Sequence, residues 1–322
     1  MRRRDFIKVT AGSLVSWPLR ANAQQRMLRI GVLWPGASPP APPRMESFRQ
    51  TLNLLGFVEG QNVEIDLQFA KEGLRQIPNL ASDLVRRKVD VILTFGDFAP
   101  RVVREATQQT PIVVISDDLI GAGLVSSLSA PGGNITGLTI LSPELSAKRL
   151  EILREVLPPI SRVAVLRDPT TGASQVAASE KAAQALKVEL EILHVTNAAQ
   201  LPHAFEEAKT KNAEALNVFS SPFLASLGSE IIQLATEYRL PTIYQWREHV
   251  EAGGLVSYGP SLATMFRQAA IMVSRILKGT SPSAIPIEQP TRFELVVNAT
   301  TTKYLQLMIP REVLLRADDV ID

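Results

Sequence analysis

Short apolar, β-branched runs alternate with amphipathic stretches along nearly the whole chain, and this alternation constrains the fold more than any other feature. The runs at 28–34, 62–69, 90–94 and 112–115 read as strands. Between them, 45–55, 78–87 and 100–107 read as helices, the second with Leu80, Leu84 and Val85 on one face. Repeated strand–helix units predict a parallel, doubly wound sheet, because a crossover helix returns the chain to the edge where the next parallel strand begins. The pattern then restarts. After the turn Pro131-Gly132-Gly133-Asn134 and a strand at 135–140, a helix over 143–157 leads into strands at 162–166, 188–194, 215–219 and 241–244, with helices at 173–186, 201–211 and 224–238. Two modules of similar size, with Pro/Gly-rich connections near 131–134 and 253–260, predict an α/β chain of two lobes around a cleft. A helix at 262–277, a passage through Pro282, Pro286 and Pro290 and a strand at 293–298 are too short for a third domain and are expected to complete both sheets. The predicted division is 24–140 plus about 261–290 for lobe one and 141–260 plus about 291–322 for lobe two.

The first 23 residues stand outside this pattern. Arg3-Arg4-Asp5-Phe6-Ile7-Lys8 precedes a broken apolar run at 9–19, and Ala21-Asn22-Ala23 has the small-x-small form that a signal peptidase cuts after. This reads as a twin-arginine export signal, with the general secretory route as the alternative because Arg2 stands where Ser or Thr is commoner. A membrane anchor is the competing reading, and a run this short falls below the about 20 residues a span needs. The expectation is a soluble chain in the periplasm, beginning at Gln24. Removing residues 1–23 leaves 29 basic and 31 acidic side chains, so the pI of 8.9 belongs to the leader and the body carries no electrostatic argument for nucleic acid or membrane. With no cysteine in the sequence, a lipoprotein anchor, disulfides and thiolate metal sites are all excluded.

In open α/β sheets the ligand lies beyond the carboxyl ends of the strands. That rule nominates the loops around Trp34–Ser38, Gly96-Asp97-Phe98 and Ser116-Asp117-Asp118 in the first module. In the second it nominates Arg167-Asp168-Pro169-Thr170, Ser220-Ser221-Pro222-Phe223 and Tyr244-Gln245-Trp246. Their hydroxyl, carboxylate and aromatic groups suit a small polar molecule held against apolar walls. Asp97, Asp117, Asp118 and Asp168 each have two readings: receiving a ligand ammonium, or capping the following helix. Ser220 and Ser221 before Pro222 look like a cap with proline in the first turn, a geometry that also exposes N–H groups to a carboxylate. Trp34, Phe98, Phe223, Tyr244 and Trp246 are placed to stack on a ligand, whereas Phe48, Phe69, Phe205 and Phe266 read as core. Tyr258, between Ser257 and Gly259, reads as a hinge or cleft residue. The loop 35–43, with five prolines, reads as a stiff connection or a pre-ordered rim.

No catalytic constellation emerges. His194, His203 and His249 lack metal-ligand spacing, and no HExxH, nucleophile-elbow or P-loop pattern occurs. Gly121-Ala122-Gly123-Leu124-Val125-Ser126 superficially resembles a dinucleotide fingerprint, but it lies about six residues past its strand and has Ser for the third glycine. It reads as a turn into a short helix. No catalytic residue, metal or cofactor is assigned.

The segments FRQTLNLLGFVEGQNVEI (48–65), LASDLVRRKVDVILTFG (80–96), GLVSSLSAPGGNITG (123–137), RLPTIYQWREHVEAGGLVSYG (239–259) and EQPTRFELVVN (288–298) occur in an order similar to that of ABC transporter substrate-binding proteins of the tryptophan/tyrosine type. The resemblance implies two Rossmann-like lobes with parallel sheets, a hinge of three crossovers, and a solute enclosed between the lobes. It further implies a monomer that delivers that solute to an ATPase-driven permease in the inner membrane, without nucleic acid, cofactor or catalysis. The chain departs from the family pattern at Gly96-Asp97-Phe98, Asp118-Leu119-Ile120 and Ser221-Pro222. The ligand-binding residues expected are Trp34, Gly96, Asp97, Asp117, Asp118, Asp168, Ser220, Ser221, Tyr244 and Tyr258, for an amino acid or related carboxylate. The alternatives are an exported two-lobed enzyme and a solute sensor that docks on a membrane receptor.

Overall fold

The computed structural model describes residues 26–36 and 42–322. The export signal read at 1–23 and the middle of the proline-rich loop therefore lie outside the described residues. In the first sheet, β1 (Leu28–Trp34), β2 (Val63–Phe69), β3 (Val91–Phe95), β4 (Ile112–Ser116) and β5 (Ile135–Thr139) run parallel in the order β2-β1-β3-β4-β5. Every residue of β3 and β4 is buried, which is why these strands read as nearly continuous apolar runs: helices cover a parallel sheet on both faces. The side chains alternate between two cores. Val32, Leu93 and Val113 face Phe48 of α1 (Pro42–Leu54), whereas Leu33, Ile92 and Val114 face Leu84 of α2 (Ile77–Arg86) and Val103 of α3 (Phe98–Ala106).

The chain leaves this sheet through Leu141, in the left-handed region at φ 61°, into α4 (Ser142–Val156). There follow β6 (Arg162–Arg167), α5 (Ala173–Leu186), β7 (Glu189–His194), α6 (Leu201–Thr210), β8 (Ala215–Val218), α7 (Pro222–Ser226), α8 (Gly228–Glu237), β9 (Thr242–Tyr244), α9 (Arg247–Glu251) and β10 (Val256–Gly259). Helix α10 (Leu262–Leu277) then returns to the first sheet, burying Met265, Phe266, Ala269 and Val273 against it. The chain crosses once more. Glu288 bonds beside β5, donating to the Gly137 carbonyl and accepting from the Thr139 N–H, both at 3.0 Å. Strand β11 (Glu294–Asn298) next pairs antiparallel with β10, and after α11 (Ala299–Tyr304) and α12 (Arg311–Arg316) strand β12 (Asp319–Ile321) completes the order β12-β11-β10-β9-β8-β6-β7. The architecture is thus α/β with two lobes, as the alternation predicted.

Three local readings need correction. The helix expected over 224–238 is two helices broken at Leu227, because Ser221 and Pro222 start a helix early and Gly228 then packs where a Cβ would meet the His249 ring at 2.8 Å. The passage read as a connection at 253–260 contains β10, whose four residues pair with β9 and β11. Gly121–Ser126 contains no helix: Asp118 Oδ1 accepts from the Gly121 N–H at 2.8 Å, and the Leu119 carbonyl accepts from Leu124 at 2.9 Å, so the segment is held as successive turns.

Candidate ligand cleft

The carboxyl ends of β1, β3 and β4 face the carboxyl ends of β8 and β9 across a cavity with about 390 Å³ of atom-free space including its mouth. Its first-lobe wall begins with aromatic packing. Trp34, the last residue of β1, meets Phe95 edge-on at 4.8 Å, and Phe95 stacks on Phe266 of α10 at 5.2 Å. Ile115, Ile140 and Leu262 extend this apolar surface, and Trp246 closes it from the second lobe. With the Gln245 amide oriented to donate to the Val218 carbonyl at 3.1 Å, its oxygen accepts from Trp246 Nε1 at 3.2 Å and fixes that ring.

Polar groups enter at defined points. Asp117 is buried and accepts from Ser142 Oγ at 2.6 Å. Ser220 stands beside it. This side chain is first raised by burial and then by the neighbouring Asp97 charge, reaching about 7 against pulls from Ser142, Ser220 and the buried Arg149. Asp97 is likewise raised, chiefly by burial, while Ser116 Oγ donates to it at 2.6 Å. Although Asp97 stands at the start of α3, its side chain makes no cap bond. Gly96 occupies φ 72°, and a Cβ there would lie 3.0 Å from Pro222 Cγ, so the glycine backbone meets the proline ring closely where the lobes touch.

The second-lobe wall is the start of α7. Ser221 caps it, its Oγ accepting from the Phe223 and Leu224 N–H groups at 3.1 and 3.3 Å while donating to Asp168 Oδ2 at 2.7 Å. Asp168 Oδ1 also accepts from the Thr170 N–H and hydroxyl. Gln175 holds Ser220 by both backbone groups, accepting from its N–H at 3.0 Å and donating to its carbonyl at 3.1 Å.

Of the ten residues nominated from sequence, Trp34, Gly96, Asp117, Ser220 and Ser221 line this cavity. Asp97 and Asp168 line an adjoining crevice with Phe98, Phe223 and Pro222. The other three lie elsewhere. Asp118 holds a turn, Tyr244 is buried in the second-lobe core against His249 at 5.0 Å, and Tyr258 packs on Phe293 at 6.0 Å with its carbonyl accepting from Arg149. Sequence reasoning assigned Phe266 to the core alone and missed Arg44. This arginine, in the first turn of α1, lines the cavity although it is only 7% exposed. Its Nε lies 3.8 Å from Glu248 and has no hydrogen-bond partner among the described residues. The signal that could have found it is its position in the helix that follows the first strand, beside the strand-end loop already singled out. Among the described residues no group of three or more acidic or histidine side chains converges as a metal ion requires.

The sequence profile described as "ABC transporter substrate binding protein" matches residues 36–321. A tyrosine-binding protein of Clostridioides difficile (strain R20291) is 24% identical over 92% of this chain and 86% of its own length. Among solved structures, a conserved domain protein from Vibrio cholerae is similar with a TM-score of 0.84 and 25% identity over 92% of this chain and all of that one. A Streptococcus pneumonia protein in complex with L-Trp gives a TM-score of 0.83 and 23% identity over 91% of this chain and 99% of that one.

Proposed function

The chain belongs to the ABC transporter substrate-binding protein family, and on that premise we propose that it captures a small organic solute by closing its two lobes and hands it unchanged to an inner-membrane permease. The observation that carries this reading is the cavity between the two sheets, an apolar space with a few convergent polar groups drawn from both sides. The hinge segments divide the chain near residues 140, 260 and 290. Ligand affinity for the closed arrangement is what shifts the lobe equilibrium.

The residues proposed to grip the solute are Trp34, Gly96, Asp117, Ser220 and Ser221, with Asp97 and Asp168 at the crevice beside them. Aromatic amino acids head the candidate solutes, since one relative is a tyrosine-binding protein and one similar structure holds L-Trp. The protein acts as a monomer in the periplasm and breaks no bond. The signal-like segment at 1–23 supports export, and no helix among the described residues is long and apolar enough to cross a membrane.

The test is thermal unfolding of the purified protein, refolded to strip carried-over solute, against amino acids, organic acids, amines and sugars. A solute at 100 times its Kd adds about 2.7 kcal/mol, a shift a melting scan resolves. A saturable shift with the compound recovered unchanged is the expected result. A compound consumed in the assay overturns the non-catalytic part, and no shift across the panel overturns the solute-binding part.

A further inference from the structure

Two buried donors in the cavity have no hydrogen-bond acceptor among the described residues. Trp34 Nε1 is one and Arg44 Nε is the other, in residues 5% and 7% exposed. Both flank the connection between β1 and α1, and both line the space between the lobes. Burial draws the Arg44 guanidinium below its ordinary value, and the Glu248 carboxylate only partly restores it. That carboxylate is a loose partner: the 3.8 Å approach is too long for a hydrogen bond, and Glu248 is itself one third exposed. His249, the other basic group beside Arg44, is held neutral, its value pushed down to about 3 by burial and then by the Arg44 charge. A guanidinium taken out of water with an unused donor is a costly arrangement unless something completes it. Around it the cavity's apolar lining, Phe95, Ile115, Ile140, Phe266 and Trp246, can cover an apolar body and cannot neutralise a cation, and the carboxyl in the lining, Asp117, is engaged by Ser142 and faces the charge of Arg149.

We propose that Arg44, with Trp34 Nε1 as companion donor, selects solutes carrying a carboxylate on an apolar, aromatic-sized body. This rests on the solute-binding reading and names the chemical class that site takes. The planar guanidinium fork matches a carboxylate, which completes the donor that Glu248 leaves unpaired. Because Arg44 belongs to α1 and Glu248 to α9, the anion also adds a second negative partner where the two lobes meet.

The experiment compares each acid with its primary amide on the same body: L-tryptophan and L-tryptophanamide, L-tyrosine and L-tyrosinamide, indole-3-propionate and indole-3-propionamide. Binding to the refolded protein is read by titration calorimetry for the wild type, Arg44→Gln, Arg44→Lys and Glu248→Gln. The acid should bind about 100-fold tighter than its amide in the wild type, and the gap should shrink to about threefold or less in Arg44→Gln. Arg44→Lys should keep part of the preference through charge alone, and Glu248→Gln should keep all of it. The ratio within one variant is insensitive to how much of that variant folds. A preference that survives Arg44→Gln, or that Glu248→Gln abolishes equally, overturns the assignment by making Arg44 only an interlobe latch. Equal binding of acid and amide by the wild type overturns it without any variant. Failure of all six compounds removes the apolar-carboxylate class while leaving solute binding to be judged by the broader thermal panel.

Discussion

The first-lobe wall of the cleft is an extension of the hydrophobic core, whereas the second-lobe wall is the capped beginning of a five-residue helix. Trp34, Phe95 and Phe266 interlock with one another and with the sheet beneath them, so that wall keeps its shape without a ligand. Ser220 and Ser221 are held by Gln175, Asp168 and the N–H groups of α7, so their directionality comes from a hydrogen-bond network. The two walls divide the labour. Apolar area on the first wall supplies contact that tolerates small displacements, and bonds on the second are sensitive to them.

The largest break is expected on the first wall. Phe95 is 3% exposed and contacts both neighbouring rings, so Phe95→Ala leaves a cavity inside the core and should cost about 3–5 kcal/mol of stability. Urea unfolding without ligand measures it. A loss below about 1 kcal/mol would show that the wall is a flexible surface, independent of the core.

Asp117 sits between the walls and gives the second effect. Its value in the folded chain is raised to about 7 from the usual 3.8, so the fold favours the protonated acid. The sign follows: its contribution is fully present below pH 3.8 and is lost as pH rises through 7. Asp117→Asn keeps the side-chain shape without the charge. The variant should gain on the order of 4 kcal/mol over the wild type at pH 8, with the difference fading toward pH 4. Urea melts across that range decide it, and parallel curves would place the Asp117 charge in water or against an unrecognised cation.

The element order and sheet direction were legible because buried parallel strands such as 91–95 and 112–116 are apolar at four of five positions, a local signal no neighbour has to supply. Strand β10 was hidden because it is four residues long and bordered by glycine and proline, and only its partners β9 and β11 define it. The site divided in the same way. Trp34, Gly96, Asp117, Ser220 and Ser221 follow from the strand-end rule, which needs only local order. Tyr244 is the last residue of β9 and is buried in the second-lobe core, whereas Trp246 lies past the strand end, just before α9, where its ring reaches the cleft. Arg44 was missed because an arginine in the first turn of a helix is ordinarily on the surface, and its burial arises only when α9 of the other lobe comes to rest on it.

A smaller effect belongs to the second wall. Ser221→Ala removes the cap of α7 and one partner of Asp168 together, and should cost about 1.5 kcal/mol. If the wall is a network, that loss should come with weakened solute binding, measured on the same preparation. Stability lost with affinity unchanged would make the α7 cap scaffolding only.

The two walls touch at Gly96, where the smallest change separates them most sharply. Gly96→Ala places a methyl in a left-handed conformation, which strains the chain by about 1 kcal/mol whether the lobes are open or closed. The contact of that methyl with Pro222, at 3.0 Å, exists only while the lobes are together. The strain therefore appears in the melting of the unliganded protein, while the contact appears as weaker solute binding, about tenfold if closure must shift to admit it. Equal, small losses in both measurements would mean that Pro222 yields and the walls meet softly. An unliganded stability loss no larger than that strain, together with weakened affinity, would mean that the lobes stand apart without solute, and that the close approach of Gly96 to Pro222 is a property of the ligand-bound arrangement.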